Sequence, residues 1–302
     1  MLPFNLPGDL PQQIYINSSK TKQRPFLKSP NHNYMTDDSE TPLRCIDIGA
    51  NLTSSKFAND REAVLASAKA AGVSQIVLTG SSESNSQQAA GMCPEHPGFL
   101  FATAGIHPHD ASKYDSTRTR KVLMDLFQHD HVVAVGECGL DFNRDFSPRD
   151  AQRSCFAEHL EMAAECGLPL FLHERDAFDE FIEMMRGVRD KVTGGVVHCF
   201  TGTAEQAKAY LDLDLHLGIT GWICDERRGV HLREVVKMIP ANRLMIETDC
   251  PYLAPRDYRP RIKRNEPKYL PHILKTVATC RDESPVELGK QILETTNLFF
   301  AL

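Results

Sequence analysis

The stretches VVAVGE at residues 132–137 and LPLFLH at residues 168–173 decide the fold class, and each ends in a side chain that can bind a cation. The same arrangement recurs in GGVVH at residues 194–198 and in RLMIETD at residues 243–249. Each run has the length and the aliphatic or β-branched composition of a buried strand. In a parallel α/β barrel the carboxyl ends of all strands point to one mouth, where the four terminal side chains are expected to meet. These side chains belong to Glu137, His173, His198 and Asp249.

Strand-like and helix-like patterns alternate outward from these runs, from Leu43 to the last residue. The expected strands are residues 44–50, 75–79, 100–105, 132–136, 169–172, 195–197, 215–219 and 244–247. The expected helices are residues 61–71, 84–92, 117–128, 150–166, 177–189, 204–211, 230–238, 268–280 and 285–300. Eight strands with intervening helices in about 260 residues predict an α/β fold of the (β/α)8 or TIM-barrel type. A doubly wound open sheet is the alternative, but TGSSES at residues 79–84 lacks the glycine-rich phosphate turn of such folds.

The amino-terminal segment differs in composition from the rest of the chain. Residues 1–43 are rich in Pro, Asn, Ser and Lys and have little periodic apolar pattern. Such a segment buries too little apolar surface to offset the entropy lost on ordering. We therefore expect a disordered extension over residues 1–43, followed by a barrel domain over residues 44–302.

Overall composition indicates a protein of a reducing compartment. No apolar run approaches the roughly 20 residues of a membrane span, and the first residues lack the pattern of a secretory signal. The nine cysteines are odd in number and form no C-x-x-C pair, which favours reduced thiols. We expect a cytoplasmic protein without a membrane partner, and the sequence predicts no oligomeric state.

The charge pattern bears on nucleic-acid binding. A net charge of −6 argues against binding by overall attraction to phosphates. A local patch exists in RDYRPRIKR at residues 256–264, which carries five basic residues and one acid. The charge pattern alone is typical of a solvated loop, but its position beside the predicted mouth favours phosphate contacts. The candidate contacts are Arg261 and Lys263.

The four strand-end residues combine carboxylate oxygens and imidazole nitrogens, which are common ligands of divalent cations. His173 and His198 follow successive strands, an arrangement that suits one shared metal. Asp249 could accept a proton from an attacking water, with Glu137 as the second candidate for that role. The structural alternatives are a turn-initiating Asp249 and a Glu137 bonded to backbone amides.

Two further residues are candidates for substrate contacts. His107 directly follows the third strand in GIHPHD, residues 105–110. Arg175 follows the fifth strand and could bind a phosphate through two parallel hydrogen bonds. An ordinary surface ion pair is the alternative for Arg175.

With these residues in place, the chain resembles the TatD family of metal-dependent deoxyribonucleases, within the amidohydrolase superfamily. The motifs that carry the resemblance, from about Cys45 to Leu302, are DIGANLTSSKF, GIHPHD, GECGLDF, LHERDAFDEF, VHCFTGT, GITGWICDERRG, ETDCPYLAPR and RNEPKYLPHIL. The resemblance implies a divalent-metal phosphodiesterase that trims DNA from the 3′ end, with RNA as a further candidate substrate. It implies metal ligands at Glu137, His173, His198 and Asp249. It implies substrate contacts at His107 and Arg175.

One motif departs from the pattern of many family members, which begin with D-x-H-x-H. Here Asp47 remains, while Gly49 and Asn51 stand at the two histidine positions. Glycine has no ligand atom, and an amide oxygen is a weak, hard ligand. The chain thus resembles the branch of the family that lacks the H-x-H pair. We expect Mg²⁺, with Mn²⁺ or Zn²⁺ as the alternatives.

Three functions remain open from the sequence. The leading prediction is a divalent-metal-dependent 3′–5′ exonuclease on DNA. A second is a D-aminoacyl-tRNA deacylase or another metal-dependent ester or amide hydrolase, because the same barrel mouth serves both reactions. A third, of another class, is an inactive barrel that acts as a binding protein.

Overall fold

The computed structural model describes residues 43–302. The predicted extension over residues 1–43 lies outside the described residues, apart from Leu43. Within residues 43–302, no helix has both the length and the apolar character needed to cross a membrane. All nine cysteines fall in this part of the chain and are unpaired.

Eight parallel strands form one sheet in which the order along the chain is also the order in space. They are β1 Cys45–Ala50, β2 Val73–Leu78, β3 Leu100–Ala104, β4 Val132–Asp141, β5 Leu170–Arg175, β6 Gly195–Val197, β7 His216–Ile219 and β8 Leu244–Ile246. A parallel bridge between Ala50 and Cys250 joins the chain beyond β8 to β1 and closes the sheet. The predicted (β/α)8 barrel is confirmed.

Helices follow the strands and cover the outside of the barrel. They are α1 Arg61–Ala70, α2 Glu83–Met92, α3 Arg118–Leu126, α4 Arg149–Cys166, α5 Phe178–Val188, α6 Ala204–Asp212, α7 Val230–Met238, α8 Leu270–Arg281 and α9 Pro285–Phe300. Helix α4 ends where Gly167 adopts a left-handed conformation with φ of 72°. Glycine adopts that conformation without steric cost, so it stops the helix at this position.

Two layers of apolar side chains hold the barrel together. The larger cluster lies between the strands and the helices. A smaller cluster takes buried residues from six strands and fills the interior, as expected for this fold. Its strand residues are Ile46, Ile48, Val77, Val133, Ala134, Phe171, Val196 and Met245.

A buried polar contact joins the first strand to the chain that follows the last. Asp47 is fully buried, and its carboxylate accepts hydrogen bonds from the Thr248 amide at 2.9 Å and the Thr248 hydroxyl at 2.5 Å. Burial raises the pKa of Asp47 to about 7, although the hydrogen bonds from Thr248 oppose this shift. Asp47 therefore joins β1 to the chain that follows β8. The first residue of the motif in which Gly49 and Asn51 replace histidines thus has a structural role.

The structure corrects the predicted ends of two strands. The sequence pattern placed Glu137 and His173 where β4 and β5 end, but both residues lie inside longer strands. The two strands continue to pair through Gly139 with His173 and through Asp141 with Arg175. The extra pairing extends the wall of the barrel at this point, so both side chains project from a hydrogen-bonded sheet.

Candidate active site

A cavity of about 470 Å³ opens at the carboxyl ends of the strands, a common size for a ligand site. Six residues predicted from the sequence line it: His107, Glu137, His173, Arg175, His198 and Asp249. Arg261 and Lys263 do not line this cavity. The structure thus brings the strand-end residues together, and it places the two basic-loop candidates elsewhere.

Glu137 is the centre of the cluster. Its Oε1 atom lies 2.8 Å from Nδ1 of His173, 2.8 Å from Nε2 of His198 and 3.3 Å from Nε2 of His107. Burial would raise the pKa of the Glu137 carboxyl, but the neighbouring His107 and His198 outweigh it and hold that pKa well below its usual range. Glu137 is thus a buried carboxylate held in its charged form.

His198 is fixed by a second carboxylate that the sequence analysis missed. Glu247 is fully buried, and its Oε2 lies 3.3 Å from Nδ1 of His198. Its Oε1 accepts a hydrogen bond from the amide of Cys199. Burial lowers the pKa of His198, but Glu137 and Glu247 raise it well above the ordinary value. A carboxylate on Nδ1 fixes the ring orientation and directs Nε2 into the cluster.

The altered motif makes room for Glu247. A β-carbon at Gly49 would lie 2.3 Å from Oε2 of Glu247, closer than side-chain atoms approach. The motif's other altered position, Asn51, donates from Nδ2 to Oδ1 of Asp249 at 2.8 Å. Both replacements therefore have a structural role. Gly49 leaves space for a buried carboxylate, and Asn51 positions the predicted ligand Asp249.

Asp249 lies in the cavity with a left-handed backbone, at φ of 52°. Few residues other than glycine adopt this conformation, and such residues concentrate at functional sites. Its amide donates to the carbonyl of Gly49 at 2.8 Å. Burial raises the pKa of Asp249 to about 7, although His198 opposes the shift. Burial in this cavity thus makes the Asp249 carboxyl harder to ionise than it is in water.

The contacts of the His107 ring indicate a hydrogen-bond donor and not a metal ligand. Its Nδ1 accepts the backbone amide of His109 at 3.1 Å, and an amide can only donate. Burial lowers the pKa of His107, which favours the neutral ring. The neutral ring then carries its proton on Nε2, the atom that faces Glu137. Although donor atoms of His107, Glu137 and His173 lie within 4.8 Å of one another, this tautomer makes His107 a hydrogen-bond donor.

Asp141 is a further residue that the sequence analysis missed. It is 1% exposed, and its Oδ2 lies 2.7 Å from Nε2 of His109 and 3.6 Å from Nε2 of His173. Burial would raise the pKa of Asp141, but the nearby His173 imidazole and the hydrogen bonds from His109 and the Arg144 amide lower it. Its position in GECGLDF, four residues after Glu137, was a usable signal because strand side chains alternate and both fall on one face.

The predicted phosphate contacts differ in their surroundings. Arg175 is exposed at the cavity wall and makes no ion pair within residues 43–302. Arg261 and Lys263 are also exposed, and they line a separate cavity. Arg264, in the same basic loop, is neutralised by Asp60 at 2.6 Å and by Glu266 at 2.9 Å. Carboxylates therefore neutralise part of the positive charge of this loop, and only the remaining basic residues can bind a phosphate.

The donor set fits a divalent cation. Carboxylate oxygens and imidazole nitrogens converge, and Nε2 of His173 is a buried nitrogen without a hydrogen-bond partner among the described residues. A buried polar atom without a partner costs free energy unless a ligand satisfies it. An imidazole nitrogen with a free lone pair is a good metal ligand.

Comparison with known proteins gives the family. The sequence profile described as TatD related DNase matches residues 46–301. The chain belongs to this family. A relative from Pantoea sp. (strain At-9b), named 3′-5′ ssDNA/RNA exonuclease TatD, is 50% identical over 258 residues, which cover 85% of this chain and 99% of the relative. The resemblance noted in the sequence is thereby confirmed.

Solved structures of TatD proteins share the fold. The TatD homolog YJJV from Escherichia coli K12 is 28% identical and superposes with a TM-score of 0.78, covering 86% of this chain and 99% of that one. A TatD family hydrolase from Entamoeba histolytica is 26% identical, with a TM-score of 0.75, covering 85% and 98%. The TatD barrel of this chain is thus close to complete domains of known structure.

Proposed function

We propose that this TatD-family chain is a divalent-metal-dependent 3′–5′ exonuclease that hydrolyses phosphodiester bonds in single-stranded DNA or RNA. The observation that carries the proposal is the convergence of three imidazole nitrogens on one oxygen of Glu137. This cluster lies in an open cavity beside Arg175, which has no ion-pair partner among the described residues, and this arrangement suits an anionic substrate. The exonuclease name of the half-identical relative supports the same activity.

Four residues would hold the metal: Glu137, His173, His198 and Asp249. A bound divalent cation polarises a phosphoryl oxygen and lowers the pKa of water. Mg²⁺ or Mn²⁺ suits the set better than zinc, because position 49 offers no imidazole and position 51 offers an amide. Glu247 would keep Nε2 of His198 directed at the ion.

The chain's own residues would orient the phosphate and move the proton. Nε2–H of His107 would donate to a nonbridging oxygen, and the Arg175 guanidinium would bind a second one. Asp249 would accept a proton as water oxygen attacks phosphorus. The bond from phosphorus to the 3′ oxygen of the preceding sugar then breaks. That oxygen takes a proton from solvent water, and Asp249 returns its proton to the solvent. The products are a 5′-mononucleotide and a strand shortened by one residue.

The free thiols support a proposal for the compartment. Nine unpaired cysteines in one chain fit a reducing environment, and we place the protein in the cytoplasm.

The test uses two labels on one substrate. Full-length protein with Mg²⁺ should release labelled mononucleotide at once from 3′-labelled single-stranded DNA, while 5′-labelled DNA should shorten stepwise. Excess EDTA should stop both reactions, and Mg²⁺ or Mn²⁺ should restore them. D-aminoacyl-tRNA is the parallel substrate. Full activity after dialysis against EDTA would reject the metal mechanism. Deacylation without DNA cleavage would reject the nuclease assignment.

A further inference from the structure

Two further cavities adjoin the active-site cavity in turn through shared lining residues. A second cavity of about 330 Å³ shares Trp222 and Leu253 with it. A third, of about 740 Å³, shares Arg261 and Ile262 with the second. The second and third cavities together are here called the strand groove.

The strand groove is basic in a chain that is acidic overall. Seven basic residues line it: Arg227, Arg228, Arg256, Arg261, Lys263, Arg264 and Lys268. Its two acids, Asp225 and Glu266, pair with some of these side chains. Arg228, Arg261 and Lys263 make no ion pair in the part of the chain that the structure describes. Three positive charges therefore remain for a ligand along one path.

Aromatic rings line the same cavities as these charges. Trp222 stands between the active-site cavity and the strand groove, and the Arg228 guanidinium lies 5.7 Å from its ring. Farther along, Tyr258 and Tyr269 pack edge to face at 5.1 Å. Alternating basic and aromatic side chains are the usual surface for single-stranded nucleic acid, because bases stack on the rings and phosphates meet the charges.

The segment around Trp222, here called the wall, is residues 220–229, and its backbone is closely packed. A β-carbon at Gly229 would lie 2.0 Å from the carbonyl oxygen of Trp222, so only glycine fits there. The amide of Gly229 donates to Asp225 at 2.8 Å, and the amide of Trp222 donates to the Thr220 hydroxyl at 3.2 Å. The wall is thus held in place before any ligand arrives, which reduces the entropy cost of binding.

A second exit from the active site is less suited to a polyanion. A cavity of about 550 Å³ on the other side of Trp222 is lined by Glu174 and Asp176 beside Arg175 and Arg228. Its two carboxylates equal its two arginines in number, whereas the strand groove has seven basic residues and two acids. The strand groove is therefore the favoured route.

We propose that the strand groove binds the body of a single-stranded nucleic acid whose terminal nucleotide occupies the active-site cavity. The base next to the scissile bond stacks on Trp222, and the following phosphates meet Arg228, Arg261 and Lys263. This inference rests on the proposed exonuclease function, since it names the path of that substrate.

Binding in EDTA tests the groove without cleavage. The probe is fluorescein-labelled (dT)12, measured by anisotropy over a range of salt concentrations. The variant Arg228→Gln/Arg261→Gln/Lys263→Gln should bind at least tenfold more weakly. Its slope of log K against log [salt] should be smaller by about 2, because each neutralised phosphate of a single strand contributes roughly 0.7 to that slope.

Arg186→Gln is the matched control. Arg186 is exposed in the last turn of α5 and lines neither the active-site cavity nor the strand groove. This variant should bind like the wild type. Equal affinity and equal salt slope in the triple variant would overturn the strand groove.

Trp222 supplies an independent optical readout, because it is the chain's single tryptophan. Unlabelled (dT)12 should quench its fluorescence over the same concentrations at which anisotropy rises. Binding without a change in emission would show that the strand takes another path. Binding and quenching without cleavage in Mg²⁺ would reject the proposed exonuclease function while leaving the groove intact.

Discussion

The Glu247 carboxylate occupies space that a side chain at position 49 would fill, because a β-carbon on Gly49 would lie 2.3 Å from Oε2 of Glu247. The carboxylate in that space contacts Nδ1 of His198 and the amide of Cys199. The absence of a histidine at position 49 therefore comes with a buried carboxylate that orients another histidine. In this chain the two features form one arrangement.

Gly49→Ala should weaken metal binding. The added methyl group forces Glu247 away from His198, and removal of such an outer hydrogen bond typically lowers metal affinity about 10–100-fold. Titration calorimetry of the metal-free protein with Mn²⁺ measures this directly. Gly187→Ala is the control, because nothing lies within 4 Å of a β-carbon there. Equal Mn²⁺ affinity in Gly49→Ala and the wild type would mean that Glu247 does not orient His198.

His159 should make the fold sensitive to acid. It is fully buried, its Nε2 accepts the amide of Ile106 at 3.0 Å, and its Nδ1 lies 2.7 Å from the carbonyl oxygen of Cys155. Burial lowers the pKa of His159 from 6.5 to about 4. The unfolded chain therefore takes up this proton near pH 6.5, whereas the folded chain takes it up only near pH 4. Stability is fully present above pH 6.5 and falls between these values.

His159→Gln isolates that effect. Glutamine can accept from Ile106 and donate to Cys155, but it does not titrate. Between pH 6.5 and pH 4 the wild type should lose about 3 kcal/mol more unfolding free energy than the variant, at about 1.4 kcal/mol per pKa unit. Urea unfolding at several pH values measures both. Parallel curves for the two proteins would mean that His159 is not held neutral.

Sequence reasoning predicted which residues would meet in one cavity, because each strand signal is local. An apolar run and its last residue are adjacent in the chain, and barrel topology then fixes where that residue lies. Glu137 and Asp249 were found in this way even though 112 positions separate them in the sequence. The basic loop was also found, although only the structure could show that Asp60 and Glu266 neutralise Arg264.

The residues that sequence reasoning missed depend on contacts between distant segments. Glu247 is important because Gly49 leaves space for it, and no local pattern at either position predicts that meeting. The ends of β4 and β5 were missed for a related reason. Gly136 and Gly139 interrupt the apolar pattern, while pairing between the two strands sustains the sheet beyond them.

Deleting residues 1–42 should leave the barrel intact. The family match begins at residue 46, and the half-identical relative is covered almost to its full length by the remaining chain. The melting temperature and the nuclease rate should therefore match those of the full-length protein. Calorimetry and the labelled-DNA assay compare the two. A large fall in melting temperature would show that the extension stabilises the barrel.

Asp249→Asn should separate proton transfer from metal binding. The amide keeps the shape and offers one oxygen, but it cannot accept a proton at neutral pH. If Asp249 accepts the proton of water, kcat should fall by about 10²–10⁴-fold. His198→Ala should instead weaken metal affinity, so high Mg²⁺ should restore part of the activity of this variant. High Mg²⁺ should restore no activity in Asp249→Asn. Asn51→Ala, which removes the 2.8 Å hydrogen bond to Asp249, should lower kcat far less. Equal recovery of Asp249→Asn and His198→Ala at high Mg²⁺ would make Asp249 a ligand only, and Glu137→Gln would be the next variant to measure.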